Sequence, residues 1–243
     1  VTNIGPYDAF ITATDNESGA ELVMDSQMVW NIDEDQSIDL MGHASDSPND
    51  MPNLRWEWQP DIDVDPNWHE VYTGESSSVT ATYTEEGLHI IAMEVFDDDE
   101  WSTGVVNGWV RVHNVPPTIE PFDENSMPPV WEDSEASITG VYSDTPSDID
   151  TLVACWDLDP YMNSDSEGSA DDDCDINGAY LSRSWPIAGV YRVIFHVTDN
   201  DGEIVTQKVN ISVANKAPKA HINASTLEPI VGSDFLITAE GST

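Results

Sequence analysis

Asp173, Asp175, Asn177 and Gly178 stand in the order D-x-D-x-N-G. Oxygen-bearing side chains at alternate positions, followed by a glycine that lets the chain turn sharply, form the first half of a calcium loop. Asn163, Asp165, Glu167 and Gly168 repeat the spacing just upstream. Neither run has Glu at its twelfth position, where Cys174 and Ser184 stand, so neither is an EF-hand. Asp157 and Asp159 would complete the shell, with Asp171 in the same run. From Trp156 to Gly178 there are eight carboxylates and no Lys or Arg. Either a cation such as Ca²⁺ sits among them, or the loop is simply solvated and screened in a salt-adapted protein.

Other chemistries are poorly served. The His residues (43, 69, 89, 113, 196, 221) form no zinc-ligand spacing, and His89 and His196 fall within strand alternation. There is no G-x-S-x-G, no phosphate-cradling glycine loop and no nucleophilic Cys arrangement. Paired carboxylates do glycosidase chemistry, but among 47 acids the proximity of two carries no information. Catalysis within this segment is not expected.

Asp plus Glu outnumber Lys plus Arg by 47 to 7, a formal charge of −40 on 243 residues. Nucleic acid is excluded as a partner, because binding it requires basic surface. An anionic membrane face is excluded on the same ground. Nine Trp, seven Tyr and 39% hydrophobic residues argue for a folded core beneath an acid coat. High salt explains such a coat, since the Debye length falls to about 3 Å at 1 M. The coat and the few Lys (208, 216, 219) point to a marine or halophilic microbe, archaea included. No apolar run approaches the roughly 20 residues that span a bilayer. Val1 opens no signal peptide, and the chain reads as a piece of a longer protein.

An internal repeat organises the chain. Gly87 aligns with Gly189 and Val95 with Val197 at an offset of 102, and Asn114 aligns with Asn215 at 101. LRWEW (54–58) corresponds to LVACW (152–156), and NKAPKAHINAS opens a third copy that stops after ITAEGST. Tyr191, Val193, Phe195 and Val197 alternate with Arg192, Ile194, His196 and Thr198, the period of a half-buried strand. Short alternating strands in units of this length predict an all-β protein of tandem antiparallel Ig-like β-sandwiches. The Pro-containing linkers divide it into 1–114 with an extra N-terminal segment, 115–215 with the acidic insertion, and 216–243, the start of a third repeat.

In the second copy, N-x-P-P, a Ser-Asp loop, W-D-L-D, W-x-x-x-G-x-Y-x-V and V-T-D-N-D-G follow in order. That succession resembles the PKD domain family, Ig-like sandwiches of extracellular proteins. The sequence departs from the family's pattern in the acidic insertion after Asp157, in Trp185 at the usual Tyr position, and in the VFDDDE of the first copy. Some PKD domains bind calcium with oxygens from the entering linker and two neighbouring loops. The resemblance implies such a site at Asn114, Asp144, Asp148, Asp150, Asp199 and Asp201. Its counterpart in copy one would be Asp46, Asn49, Asp50, Asp97 and Asp99. Turn propensity alone is the alternative for these Asp and Asn residues.

With Trp156 pointing into the core, Leu152 and Ala154 would point in, and Cys155 and Asp157 out. Cys155 and Cys174 would then bridge the acidic loop, contributing on the order of 3 kcal/mol and implying an oxidising compartment. Two reduced thiols are the alternative. Asn16, Asn210 and Asn223 begin N-x-S sequons, candidates for glycosylation in an exported protein.

Trp56, Trp58, Trp156 and Trp185 sit at matching repeat positions and read as core. Trp68, Trp101 and Trp109 lack counterparts and are either packed or a binding face for glycan or protein. The expectation is a non-catalytic, Ca²⁺-stiffened spacer or assembly segment of an extracellular or cell-surface protein, meeting itself or neighbouring domains end to end. The rival is an adhesion or carbohydrate-binding accessory module.

Overall fold

A computed structural model describes residues 4–62, 64–123, 127, 129–160, 174–225, 228, 230–232, 234 and 236–242, the side chains of 70–72 excepted. The predicted loop residues Asn163, Asp165, Glu167, Asp171 and Asp173 lie outside it. The strands of the first half are β1 (Tyr7–Asp15), β2 (Trp30–Asp33), β3 (Ser37–Ser45), β4 (Arg55–Gln59), β5 (His69–Thr73), β6 (Ser77–Thr82), β7 (Gly87–Phe96) and β8 (Val106–His113). There follow β9 (Thr118–Ile119), β10 (Val130–Trp131), β11 (Glu135–Thr139), β12 (Tyr142–Ser143), β13 (Val153–Asp157), β14 (Ile176–Asn177) and β15 (Tyr180–Ser184). The last are β16 (Gly189–Thr198), β17 (Ile204–Ala214), β18 (Asn223–Ala224) and β19 (Ile237–Thr238).

The chain forms two compact units. One gathers 1–118 with 142–153 and 197–205; the other gathers 119–141, 154–196 and 206–243. In the first, the sheet β1-β3-β6 faces the sheet β2-β8-β7-β4-β5. Ile38 and Leu40 of one and Trp56, Trp58, Ile91, Met93 and Val110 of the other close the core. The indoles stay inside because their N–H groups are satisfied: Trp56 donates to the Gly74 carbonyl (2.8 Å) and Trp58 to Ser77 Oγ (3.1 Å). Gly42 makes this packing possible, since a Cβ there would stand 2.5 Å from Met93 Sδ and 2.7 Å from the Trp56 ring.

The five-stranded sheet recurs as β10-β17-β16-β13-β14, and β11-β15 repeats the β3-β6 pairing. In both copies the leading short strand (β2, β10) runs parallel to the last (β8, β17). The fold is therefore a tandem of Ig-like β-sandwiches. In the second unit Trp156, Phe195 and Phe122 form an aromatic cluster, with Trp156 and Phe195 centroids 4.7 Å apart. Gly140 repeats the role of Gly42, because a Cβ there would run into the Phe195 ring.

Two expectations about strand faces need correction. In β13, Cys155 (3% exposed) and Asp157 (0%) are buried along with Ala154 and Trp156. In β16, Ile194 and His196 are as buried as Val193, Phe195 and Val197. Both strands are interior in the order β10-β17-β16-β13-β14, and residues on both of their faces are buried, so the period-2 pattern of a half-solvated strand does not apply. The Cys155–Cys174 disulfide, with Cα atoms 5.6 Å apart, accounts for the burial of Cys155.

Candidate metal centres

The most enclosed acid cluster lies in the first unit. The turn after β2 carries Glu34 and Asp35, and the segments 142–153 and 197–205 carry Asp148 and Asp201. One carboxylate oxygen from each of Glu34, Asp148 and Asp201 lies within 4.8 Å of the others. Glu34 and Asp148 are 3% and 1% exposed.

The turn is fixed by backbone bonds. The Glu34 N–H donates to the His113 carbonyl (3.0 Å), and the Val115 N–H donates to Glu34 Oε1 (2.7 Å). Asp35 adopts φ 59°, which Asp tolerates. Its Oδ2 receives both the N–H (2.8 Å) and the Oγ–H (2.9 Å) of Ser147. The receiving loop is D-T-P-S-D (144–148), where Asp144 Oδ1 accepts from the Thr145 N–H (2.8 Å) and Thr145 Oγ1 donates to Asp148 Oδ2 (3.4 Å).

After these bonds, four buried oxygens have no hydrogen-bond donor: Glu34 Oε2, Asp144 Oδ2, Asp201 Oδ2 and Asn114 Oδ1. An orphaned buried acceptor costs about 1–3 kcal/mol, and more when charged. The surroundings raise the pKa of three of these carboxyls. Burial, then the charges of Asp148 and Asp201, push Glu34 up to about 7. Burial and neighbouring carboxylates also raise Asp144 and Asp201. Among the described residues no Lys, Arg or His forms an ion pair with Glu34, Asp148 or Asp201. An all-oxygen, uncompensated donor set fits a hard divalent cation of the Ca²⁺ kind better than Zn²⁺.

The expected residues divide. Asp148 and Asp201 meet Glu34, while Asp144 lies near enough to feel the charge of Asp148, and Asn114 contacts Asp199 instead. Asp199 is spent on structure, its Oδ2 accepting from Asn114 Nδ2 (2.9 Å) and its Oδ1 from the Glu203 N–H (2.8 Å). Asp150 is exposed and is not one of the three clustered acids. Glu34 was not anticipated. The W-N-I-D-E-D run that carries it reads as an ordinary acidic turn, and only its equivalence with the later W-E-D would have marked it.

In copy one, Asp46 Oδ1 caps the Ser47 N–H (2.6 Å), while its Oδ2 is buried without a partner. Asp50 Oδ2 accepts from Ser47 Oγ (2.7 Å), and Asp97 Oδ1 accepts from the Asp99 (3.0 Å) and Trp101 (2.8 Å) N–H groups. No three acids of this loop pair meet the same 4.8 Å closeness among the described residues.

In the second unit Asp157, Asp159 and Asp175 form another such cluster, with Asp157 buried and the others exposed. The Asp159 N–H donates to Asp157 Oδ1 (2.9 Å) and the Leu158 N–H to Asp175 Oδ2 (2.7 Å). Asn177 is exposed in β14, opposite Cys155 in the ladder. The sequon residues Asn16, Asn210 and Asn223 are all exposed.

No family model and no curated relative matches the chain. Solved structures similar to it include the PKD domain of an M14-like peptidase from a Thermoplasmatales archaeon (14% identity, TM-score 0.33, covering 46% of this chain and 98% of that one). Also similar are fibronectin(III)-like modules of Clostridium thermocellum CbhA (13%, 0.32, 84% and 94%) and the titin domains z1z2 in complex with telethonin (12%, 0.43, 89% and 100%). Among the described residues no helix is long and apolar enough to cross a membrane.

Proposed function

We propose that this chain is a PKD-like spacer or assembly segment of an extracellular or cell-surface protein, stiffened by Ca²⁺ at Glu34, Asp148 and Asp201. The carrying observation is the pair of buried acceptors, Glu34 Oε2 and Asp201 Oδ2, that no protein group satisfies. The ion would tie the turn after β2 to the loops at 142–153 and 197–205, cross-linking residues from both sequence repeats. The disulfide supports an oxidising compartment.

The test is thermal unfolding of the chain in EDTA and in millimolar Ca²⁺ at one fixed, high ionic strength. A ligand at 100 times its Kd adds about 2.7 kcal/mol. The Ca²⁺-specific rise should vanish in Glu34→Gln and survive in Asp150→Asn. An equal response to NaCl and CaCl₂ would sink the metal reading.

One observation favours a second reading, a glycan- or protein-binding module: Trp101 is 63% exposed, and Trp68 and Trp109 are also exposed. A single-ring platform of this kind stacks on sugar faces or partner side chains. Glycan binding lost in Trp101→Ala, with the melting temperature unchanged, would establish it.

A further inference from the structure

His89 sits on the core-facing side of β7, in line with Ile91, Met93 and Val95, and is 9% exposed. Both of its ring nitrogens meet oxygens. Nδ1 lies 2.8 Å from Asp61 Oδ2, and Nε2 lies 3.0 Å from the Glu85 carbonyl oxygen. A neutral imidazole carries one N–H and one lone pair. A carbonyl and an ionised carboxylate only accept. A neutral ring therefore makes one of these bonds and turns its lone pair on the other oxygen. A ring protonated at both nitrogens makes both.

The elements around the ring define what the second proton holds together. Asp61 belongs to the stretch Pro60–Asp61–Ile62, just after β4. The Ile62 N–H donates to the Ile90 carbonyl (3.0 Å), and the Tyr83 hydroxyl donates to the Pro60 carbonyl (2.7 Å). The Tyr83 ring stands 5.0 Å from the imidazole, tilted by 57°. Burial, then the charge of Asp61, pushes the Tyr83 phenol up, so it keeps its proton and remains a donor. The turn before β7 presents the Glu85 carbonyl, with the Glu85 and Glu86 side chains exposed. In β8 the residue opposite His89 is Val110, and Arg111 is opposite Leu88.

The same connection from β4 to β5 carries the exposed Val64 and Trp68. Two more side-chain bonds fasten it. The Gln59 amide donates to the Pro66 carbonyl, and His69 Nε2 lies 2.9 Å from Asp65 Oδ2. In a chain of 47 acids and 7 Lys plus Arg, both printed ion pairs of this connection use histidine, the side chain whose charge changes most readily near neutral pH.

We propose that His89 is an imidazolium in the folded chain and that its second proton is a latch on the connection after β4. With that proton, His89 joins Asp61 to the Glu85 carbonyl and clamps the connection to the turn before β7. Without it, one of the two bonds is lost and the stretch that leads to Val64 and Trp68 loosens. Acid fixes this face of the first unit and alkali frees it. The latch requires no cation at Glu34.

The test uses the whole chain in EDTA, across the pH range in which it stays folded. Imidazole ¹⁵N shifts read the protons on His89, and hydrogen exchange of the Ile62 N–H, corrected for its intrinsic pH dependence, reads the clamp. Ile62 protection should fall about tenfold, the equivalent of one hydrogen bond to a charged group, over the interval in which His89 loses its second proton. The amides of β3 should keep theirs. His89→Gln should show weak Ile62 protection with no pH step. In Asp61→Asn the side-chain amide can donate to Nδ1 of a neutral ring whose Nε2–H still reaches Glu85, so protection should persist with no step. Ile62 protection that passes unchanged through the titration of His89 overturns the proposal. So does a His89 that carries one proton, or both protons, at every pH. The wild-type measurements decide the matter even if a variant fails to fold.

Discussion

Asp35 Oδ2 accepts two hydrogen bonds from Ser147, across 112 residues of sequence. That contact brings the acidic turn after β2 to the loop that carries Asp148. Bonds to a charged acceptor contribute about 1.5–3 kcal/mol each. Asp35→Ala, which loses both bonds, should therefore destabilise the chain by about 3 kcal/mol in urea denaturation with EDTA, and Ser147→Ala, which keeps the backbone bond, by about half as much. Equal losses would mean the backbone bond contributes nothing.

The raised pKa of Glu34 makes a signed prediction for the metal-free chain. Its folded value of about 7 lies above the ordinary 4.5, so between them the folded state holds a proton that the unfolded state releases. Stability from this group is complete below about pH 4.5 and lost as pH rises through about 7, on the order of 3 kcal/mol in all. Denaturation midpoints in EDTA should fall from about pH 5 to about pH 8 and fall less in Glu34→Gln. In Ca²⁺ the decline should flatten, because the cation favours the ionised carboxylates.

Gly140 faces the Phe195 ring with no room for a Cβ. Gly140→Ala should destabilise by about 1–3 kcal/mol through overpacking. Phe195→Leu in the same chain should recover part of that loss in a double-mutant cycle. Purely additive effects would place the strain elsewhere.

Cys155 and Cys174 close a loop of sequence separation 19. Replacing both with Ala should lower stability by about 3 kcal/mol. The same loss should appear on reduction of the wild type and be absent on reduction of the double variant, measured by thermal melts with and without reductant.

The sequence by itself determined the repeat, the strand alternation and hence the sandwich class, because side-chain period and turn residues are local properties. It also marked Cys155 and Cys174 as adjoining one loop. It did not reveal that β13 and β16 are covered on both faces, since alternation reports exposure only where one face meets water. Nor did it single out Glu34. With 47 acids in 243 residues, residue type cannot distinguish a cluster from a coat. Asp199 and Asp97 have the same chemistry as Asp201, yet their oxygens cap backbone N–H groups. Which carboxylates converge depends on loops meeting across more than a hundred residues, and which remain unsatisfied depends on every donor nearby. Those are properties of packing, and only the tertiary structure decides them.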